Sequence, residues 1–382
     1  MPFFSQSTSF ADLWPDIERR VDDIIRRGKY SHGNAVAELE SALAAYTGAR
    51  HVVGVNSGTD ALVIALRATG LRPGDEVVVP AFSFIASASS VVLAGGTPVF
   101  ADVEPDSYGI APGAVADAVT PATTHVLPVH LFSQLADLSG VLAVAAEHDL
   151  TVVEDSAEAI GMRWDGTHAG LLGRAGVLSF FPTKTLGAIG DAGAVLTDDP
   201  QVGQTAAALR HHGRFGRTLD NFPGISHATE VAGMNSKMDD IQAAVLLAKL
   251  ARLDVDIKKR ALLAEAYSTR LADIPGVLRL PTVVSRSVPT SDVWYVYVIE
   301  VSRRDELARY LAARDIGTET YYPVPLHLQP CFADLGYRPG SCPVAERACG
   351  HTLALPLYPD LDLDGVDEVC DAIARFYTGR HA

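Results

Sequence analysis

Seven short runs of apolar and β-branched residues recur between residues 50 and 200, separated for the most part by Ala- and Leu-rich stretches of helical character. They are His51–Val55, Glu76–Val79, Pro98–Ala101, His125–Val129, Thr151–Glu154, Gly176–Phe180 and Ala194–Thr197. Strands joined through helices return parallel to one another, so the alternation predicts an α/β fold, a mostly parallel mixed sheet with helices on both faces. Ligands of such sheets sit at the carboxyl ends of the strands. Several of these runs end there in Asp, Ser or Gly ahead of a predicted helix.

A long amphipathic segment follows, from Met238 to Asp256 and on to Arg260, with Ile241, Val245, Leu246, Leu250 and Leu253 on one face. Beyond it, a strand over Val293–Val301 and helices over Arg304–Arg314 and Val366–Tyr377 predict a smaller α+β unit, joined through the Pro-rich stretch Tyr322–Pro330. The expected division is a large domain over 1–250, N-terminal segment included, and a small C-terminal domain over 251–382. No internal repeat is visible.

Composition narrows the function. The 382 residues are 48% hydrophobic, enough for a full core, and carry a formal charge of −15 with no basic block, which argues against nucleic acid or an anionic membrane as partner. Met1–Trp14 lacks the basic start and apolar run of a signal peptide, and no stretch has the length of a membrane span, so a soluble cytoplasmic protein is expected. Cys331, Cys342, Cys349 and Cys370 lie late in the chain without a CxxC pair, which predicts reduced thiols and no metal site.

Three segments carry chemistry. Asn56-Ser-Gly-Thr-Asp60 follows a strand and opens a helix; its glycine permits close approach of a ligand, and free N–H groups at a helix start favour a phosphate, although the same residues make an ordinary N-cap. Thr151-Val-Val-Glu-Asp155 delivers a carboxylate to a strand end, and a buried Asp needs a cationic partner such as a protonated ring nitrogen, or serves as a helix cap. Ser179-Phe-Phe-Pro-Thr-Lys184 places a lysine on an apolar, Gly-flanked loop, where burial is expected to depress its pKa and suit it to Schiff-base formation.

In this order the segments resemble the DegT/StrS family of sugar aminotransferases, pyridoxal-phosphate enzymes of the aspartate-aminotransferase fold, fold type I. Further matching segments are Pro80-Ala-Phe-Ser-Phe84, Glu154-Asp-Ser-Ala-Glu158, Gly187-Ala-Ile-Gly-Asp191, Gly233–Asp239 with Gln242-Ala-Ala244, and Tyr322–Gln329. The resemblance implies that Lys184 holds pyridoxal 5'-phosphate and moves the proton, that Asp155 pairs with its ring nitrogen, and that Gly58, Thr59 and Ser179 hold its phosphate. It implies that Phe84 stacks on the ring, that Glu158 lies beside the phenolic oxygen, and that Asn235 reaches the phosphate from the other subunit of a homodimer. Glu158 stands where Gln is common, Lys237 where Arg is frequent, and Tyr295 and Tyr321 where histidines are common.

The family implies a nucleotide-linked keto-6-deoxysugar, dTDP-linked in this reading, as amino acceptor and L-glutamate as donor. Arg210-His-His-Gly-Arg214-Phe-Gly-Arg217, a basic cluster in an acidic chain, suits a diphosphate, with Arg210, Tyr321 and His327 as candidate substrate residues. Glu158 with Asn235-Ser-Lys-Met238 resembles the branch that aminates C4; C3 is the alternative, and a non-catalytic cofactor-binding sensor is the rival of another class. A nicotinamide oxidoreductase is disfavoured, since no GxGxxG turn follows the first strand.

Overall fold

The computed structural model describes residues 1–31, 33–215 and 229–379. Helices α1 (Ser7–Arg27) and α2 (Asn34–Thr47) come first. Then β1 (His51–Val55), α3 (Gly58–Ala68), β2 (Glu76–Pro80), α4 (Ala86–Ala94), β3 (Thr97–Ala101), α5 (Pro112–Ala118), β4 (Thr123–Val126), α6 (Leu138–Glu147) and β5 (Thr151–Asp155) alternate. A small ribbon, β6 (Arg163–Trp164) and β7 (Thr167–His168), precedes β8 (Ala175–Ser179), β9 (Gly193–Thr197) and α7 (Pro200–Leu209).

The large sheet has the order β1-β9-β8-β5-β4-β2-β3. Its pairs are parallel except those of β9, which runs against both β1 and β8. Helices cover both faces, so the strands read as continuous apolar runs: every residue of β8 but Ser179, and every residue of β9, is buried. The architecture is a mostly parallel mixed sheet flanked by helices, as the sequence implied.

The predicted amphipathic segment is two helices, α8 (Asp240–Leu250) and α9 (Leu253–Leu271), broken at Ala251–Arg252. α8 is buried along nearly its whole length in the first core, whereas α9 presents Leu263, Tyr267 and Leu271 to a second. One straight helix cannot serve two cores that lie in different directions. The second core also receives β10 (Val277–Arg279), β12 (Tyr297–Val301), α10 (Arg304–Ala312), β13 (Thr352–Leu355) and α12 (Leu363–Thr378). Between these, β11 (Thr290–Ser291) pairs back onto β6, and α11 (Pro343–His351) precedes β13.

Two expectations need correction in this region. The strand expected from Val293 begins at Tyr297, because Tyr295 N–H donates instead to the Phe132 carbonyl at 3.2 Å and ties the chain to the large sheet. Asp155 is followed not by a helix but by turns, with Ala159 N–H donating to Ser156 O and Met162 N–H to Ala159 O, both at 2.9 Å. Among the described residues, no helix is long and apolar enough to cross a membrane.

Candidate active site

The strand directions bring the carboxyl ends of β1, β5 and β8 and the amino end of β9 to one edge of the large sheet. α3 starts there, capped by Ser57, whose Oγ accepts from Asp60 N–H at 3.1 Å. The first-turn N–H groups of Gly58 and Thr59 have no acceptor within their helix and, with the helix dipole, favour an anion. Ser179 closes in from β8: a Cβ on Gly58 would lie 2.7 Å from Ser179 Cβ and 2.9 Å from its Oγ. A Cβ on Gly193 would lie 2.5 Å from the Ser57 carbonyl oxygen. Glycines at both places let a hydroxyl and a helix start converge.

Lys184 sits on the loop between β8 and β9, its N–H donating to Phe181 O at 2.8 Å. Its Nζ meets Glu158 Oε1 at 3.0 Å and lies 4.4 Å from the ring centre of Tyr295. Burial is the largest single effect and disfavours the ammonium, but Glu158, Tyr295 and Asp155 together outweigh it and hold the Lys184 pKa above its ordinary value. The expected depression is thus reversed: the neighbouring acidic groups together outweigh desolvation. The other Glu158 oxygen accepts from Phe132 N–H at 2.8 Å. Phe132 adopts φ 64°, a left-handed conformation costly for an aromatic residue, which aims that N–H.

Asp155 ends β5, buried; its Oδ2 accepts from Ser87 Oγ at 2.9 Å and its Oδ1 from Ala157 N–H at 3.2 Å. Burial raises its pKa against those two bonds and the nearby charge of Lys184. The preceding residue, Glu154, accepts from His130 at 3.0 Å and from the N–H groups of Gly170, Leu172 and Gly173 at 2.6–2.8 Å, which fixes the end of the strand. Aromatic rings wall the cluster. Phe132 stacks on Tyr322 at 6.4 Å and meets Tyr321 edge-on at 5.8 Å, and Tyr295 Oη bonds to Thr183 Oγ1 at 3.2 Å. Phe84 stands at the rim, 56% exposed, 6.3 Å from Tyr322.

Other predicted residues lie elsewhere. Asn235 is exposed and bonded to Lys237, though its neighbour Ser236 crosses the start of α3, donating to Asp60 at 2.6 Å and accepting from Asn56 N–H at 3.1 Å through its carbonyl. Arg210, expected to meet a diphosphate, bonds instead to Glu40 and to the Gly54 carbonyl at 2.7 Å, clamping α2 to β1. His327 is buried against Phe100 and Tyr337, its Nε2 3.1 Å from Glu346, and does not join the Lys184 cluster. Gly216 and Arg217 of the basic cluster lie outside the described residues. Sequence reasoning passed over Ser83, Ser87, Phe132 and Thr183; only the paired serines one helical turn apart in an apolar stretch left a signal.

The donor set fits a flat, anionic-tailed ring: helix N–H groups and a hydroxyl for the tail, a buried carboxylate for a ring N–H, and a lysine for a carbonyl. Residues 12–374 match the DegT/DnrJ/EryC1/StrS aminotransferase family. A pleiotropic regulatory protein of Geobacillus stearothermophilus is 40% identical, covering 99% of this chain and 98% of its own. The dTDP-3-amino-3,4,6-trideoxy-alpha-D-glucose transaminase of Streptomyces venezuelae is 38% identical, over 98% of this chain and 96% of its own. The solved structure of S. venezuelae DesV in complex with a ketimine intermediate superposes with a TM-score of 0.92 at 37% identity, over 100% and 99% of the two chains.

Proposed function

Because the chain belongs to the DegT/DnrJ/EryC1/StrS aminotransferase family, we propose that it moves an amino group from L-glutamate to the C3 keto carbon of a dTDP-linked deoxysugar. It is a pyridoxal-phosphate-dependent transaminase of nucleotide sugars. What carries the chemical reading is Lys184, a partly buried amine held 3.0 Å from Glu158 beside the buried Asp155. The choice of C3 over the C4 position suggested by Glu158 and Asn235–Met238 is supported by the 38% identity to a transaminase named for a 3-amino sugar.

Pyridoxal phosphate, when bound, supplies the electron sink that lets the carbon–nitrogen bond be exchanged. Gly58, Thr59 and Ser179 hold its phosphate, Phe84 covers a face of its ring, and Asp155 holds a proton on its ring nitrogen. Lys184 Nζ would be the base that moves the proton between the amine-bearing substrate carbon and C4′ of the cofactor. Glu158 stays within reach of Nζ and orients it. Tyr321 faces the sugar, and with Tyr295 it excludes water from the lysine. Asn235 completes the phosphate site of the opposite subunit in a homodimer.

The test is to add L-glutamate to the cofactor-loaded protein, follow its visible absorbance and assay 2-oxoglutarate, then offer dTDP-linked 3-keto and 4-keto deoxysugars separately. The expected result is a bleached long-wavelength band, 2-oxoglutarate equal to bound cofactor, and amination of the 3-keto sugar alone. Amination of the 4-keto sugar alone would move the reading to C4. The name of the G. stearothermophilus relative favours a second, regulatory reading, and a protein that binds the cofactor but releases no 2-oxoglutarate would support it.

A further inference from the structure

Asp155 has one side-chain donor among the described residues, Ser87 of α4, whose Oγ lies 2.9 Å from Oδ2. Ser87 is 1% exposed, and its Oγ is also 2.8 Å from that of Ser83, itself 2% exposed and four residues earlier. A hydroxyl carries a single proton, and an ionised carboxylate only accepts. With Asp155 ionised, the Ser87 proton therefore points at Oδ2, and Ser83 must donate to Ser87. The direction of the relay, Ser83 to Ser87 to Asp155, is fixed by the charge at its end. A hydroxyl that accepts a bond donates more strongly, so Ser83 reinforces the contact with Asp155. Neither serine is explained by packing alone, since a buried hydroxyl in an apolar stretch is costly unless bonded.

We propose that Ser87, backed by Ser83, is a positioning residue that keeps Asp155 ionised and turned toward the ring nitrogen of the cofactor. The proposal rests on the reading of Asp155 given above. The groups that act on Asp155 are few. Burial and Glu158 push its proton affinity up, whereas Lys184, Ala157 N–H and Ser87 hold it down. Tyr322 stands close enough for Asp155 to raise its phenol in turn. Ser87 is the one side chain of this set that donates a hydrogen bond to Asp155.

The experiment measures the dissociation constant of pyridoxal phosphate for the apoprotein across pH, by absorbance and without an amino donor, in wild type, Ser87→Ala, Ser87→Thr and Ser83→Ala. Loss of a hydrogen bond to a charged group predicts roughly ten-fold weaker binding in Ser87→Ala and an acid limb of the affinity profile about one pH unit higher. Ser87→Thr should restore both. Ser83→Ala should shift both in the same direction by a smaller, few-fold amount, and it decides the matter if Ser87→Ala does not fold. Wild-type affinity and an unmoved acid limb in Ser87→Ala, or in Ser83→Ala where that variant decides, would overturn the proposal. If wild type itself failed to bind the cofactor, the reading of the whole site would fall, and this proposal with it.

Discussion

Lys184 meets Glu158 at 3.0 Å inside an aromatic enclosure, and Glu158, Tyr295 and Asp155 together reverse the effect that burial has on a lysine. Only the neutral amine attacks a carbonyl, so the ion pair slows cofactor capture at neutral pH. Removing the anion favours the neutral amine, hence Glu158→Gln should move the rising limb of the capture rate of pyridoxal phosphate at least about one unit toward lower pH. Stopped-flow absorbance on the apoprotein checks this; an unmoved limb would assign the high Lys184 pKa to another group. Lys184 and Asp155 were legible because a lysine and a carboxylate stand at or just beyond strand ends, where this architecture concentrates chemistry, whereas Glu158 was legible only through the family resemblance. The left-handed Phe132 that orients Glu158 was not, since no Gly or Asn marks it. Arg210 stands out in a basic cluster of an acidic chain and His327 on the Pro-rich loop, and neither signal registers the carboxylate that the fold has placed across from it, Glu40 for one and Glu346 for the other.

α8 underlies the lysine loop and holds it at two points seven residues apart, about two turns along one face. Gln242 Oε1 accepts from Ile189 N–H at 3.0 Å, and the Lys249 ammonium donates to the Gly187 carbonyl and, at 2.7 Å, to Gln6. Burial, more than the opposing charge of Asp256, lowers the Lys249 pKa to about 8. The folded state thus binds this proton more weakly than the unfolded chain. The resulting penalty is complete below about pH 8 and is relieved as pH rises toward the unfolded value near 10.4; it amounts to roughly 3 kcal/mol. Near pH 9, unfolding wild type should take up nearly one proton more than unfolding Lys249→Met, measured by denaturant titration in weak buffer. Equal uptake would mean that Lys249 stays charged in the fold. The strands of the sheet were readable from their apolar runs, because each is buried on both faces. The break between α8 and α9 was not, because helical periodicity continues across it and only the direction of the second core requires the turn.

At the scale of the molecule, the two cores are stitched together around the site. Glu300 of β12 is buried and accepts from Tyr108 Oη of the large unit at 3.0 Å and from Arg347 of α11 at 3.1 Å, while Arg260 of α9 donates to the carbonyls of Tyr295 at 2.9 Å and Leu357 at 2.8 Å. The wall of Tyr295 and Tyr321 is therefore set by contacts that span both units. The opposite rim is open: Phe84, Phe181 and Ile189, on the loops that frame Lys184, are each about half exposed, and Asn235 faces outward. Large apolar side chains left uncovered around a site favour a second chain as their cover. If Asn235 completes the opposite site of a homodimer, two separately inactive variants carry complementary parts. A Lys184→Ala chain supplies Asn235 to the site of an Asn235→Ala chain, which still has its lysine. Mixing equal amounts under exchange conditions gives hybrids for half the dimers, each with one intact site of two, so activity should recover to about a quarter of wild type. The recovery should vanish when the chains are mixed without exchange, and the hybrid's single site should show the wild-type KM for the sugar nucleotide. If no activity returned although labelled chains had exchanged, Asn235 would serve the site of its own chain, where Ser236 already crosses the start of α3.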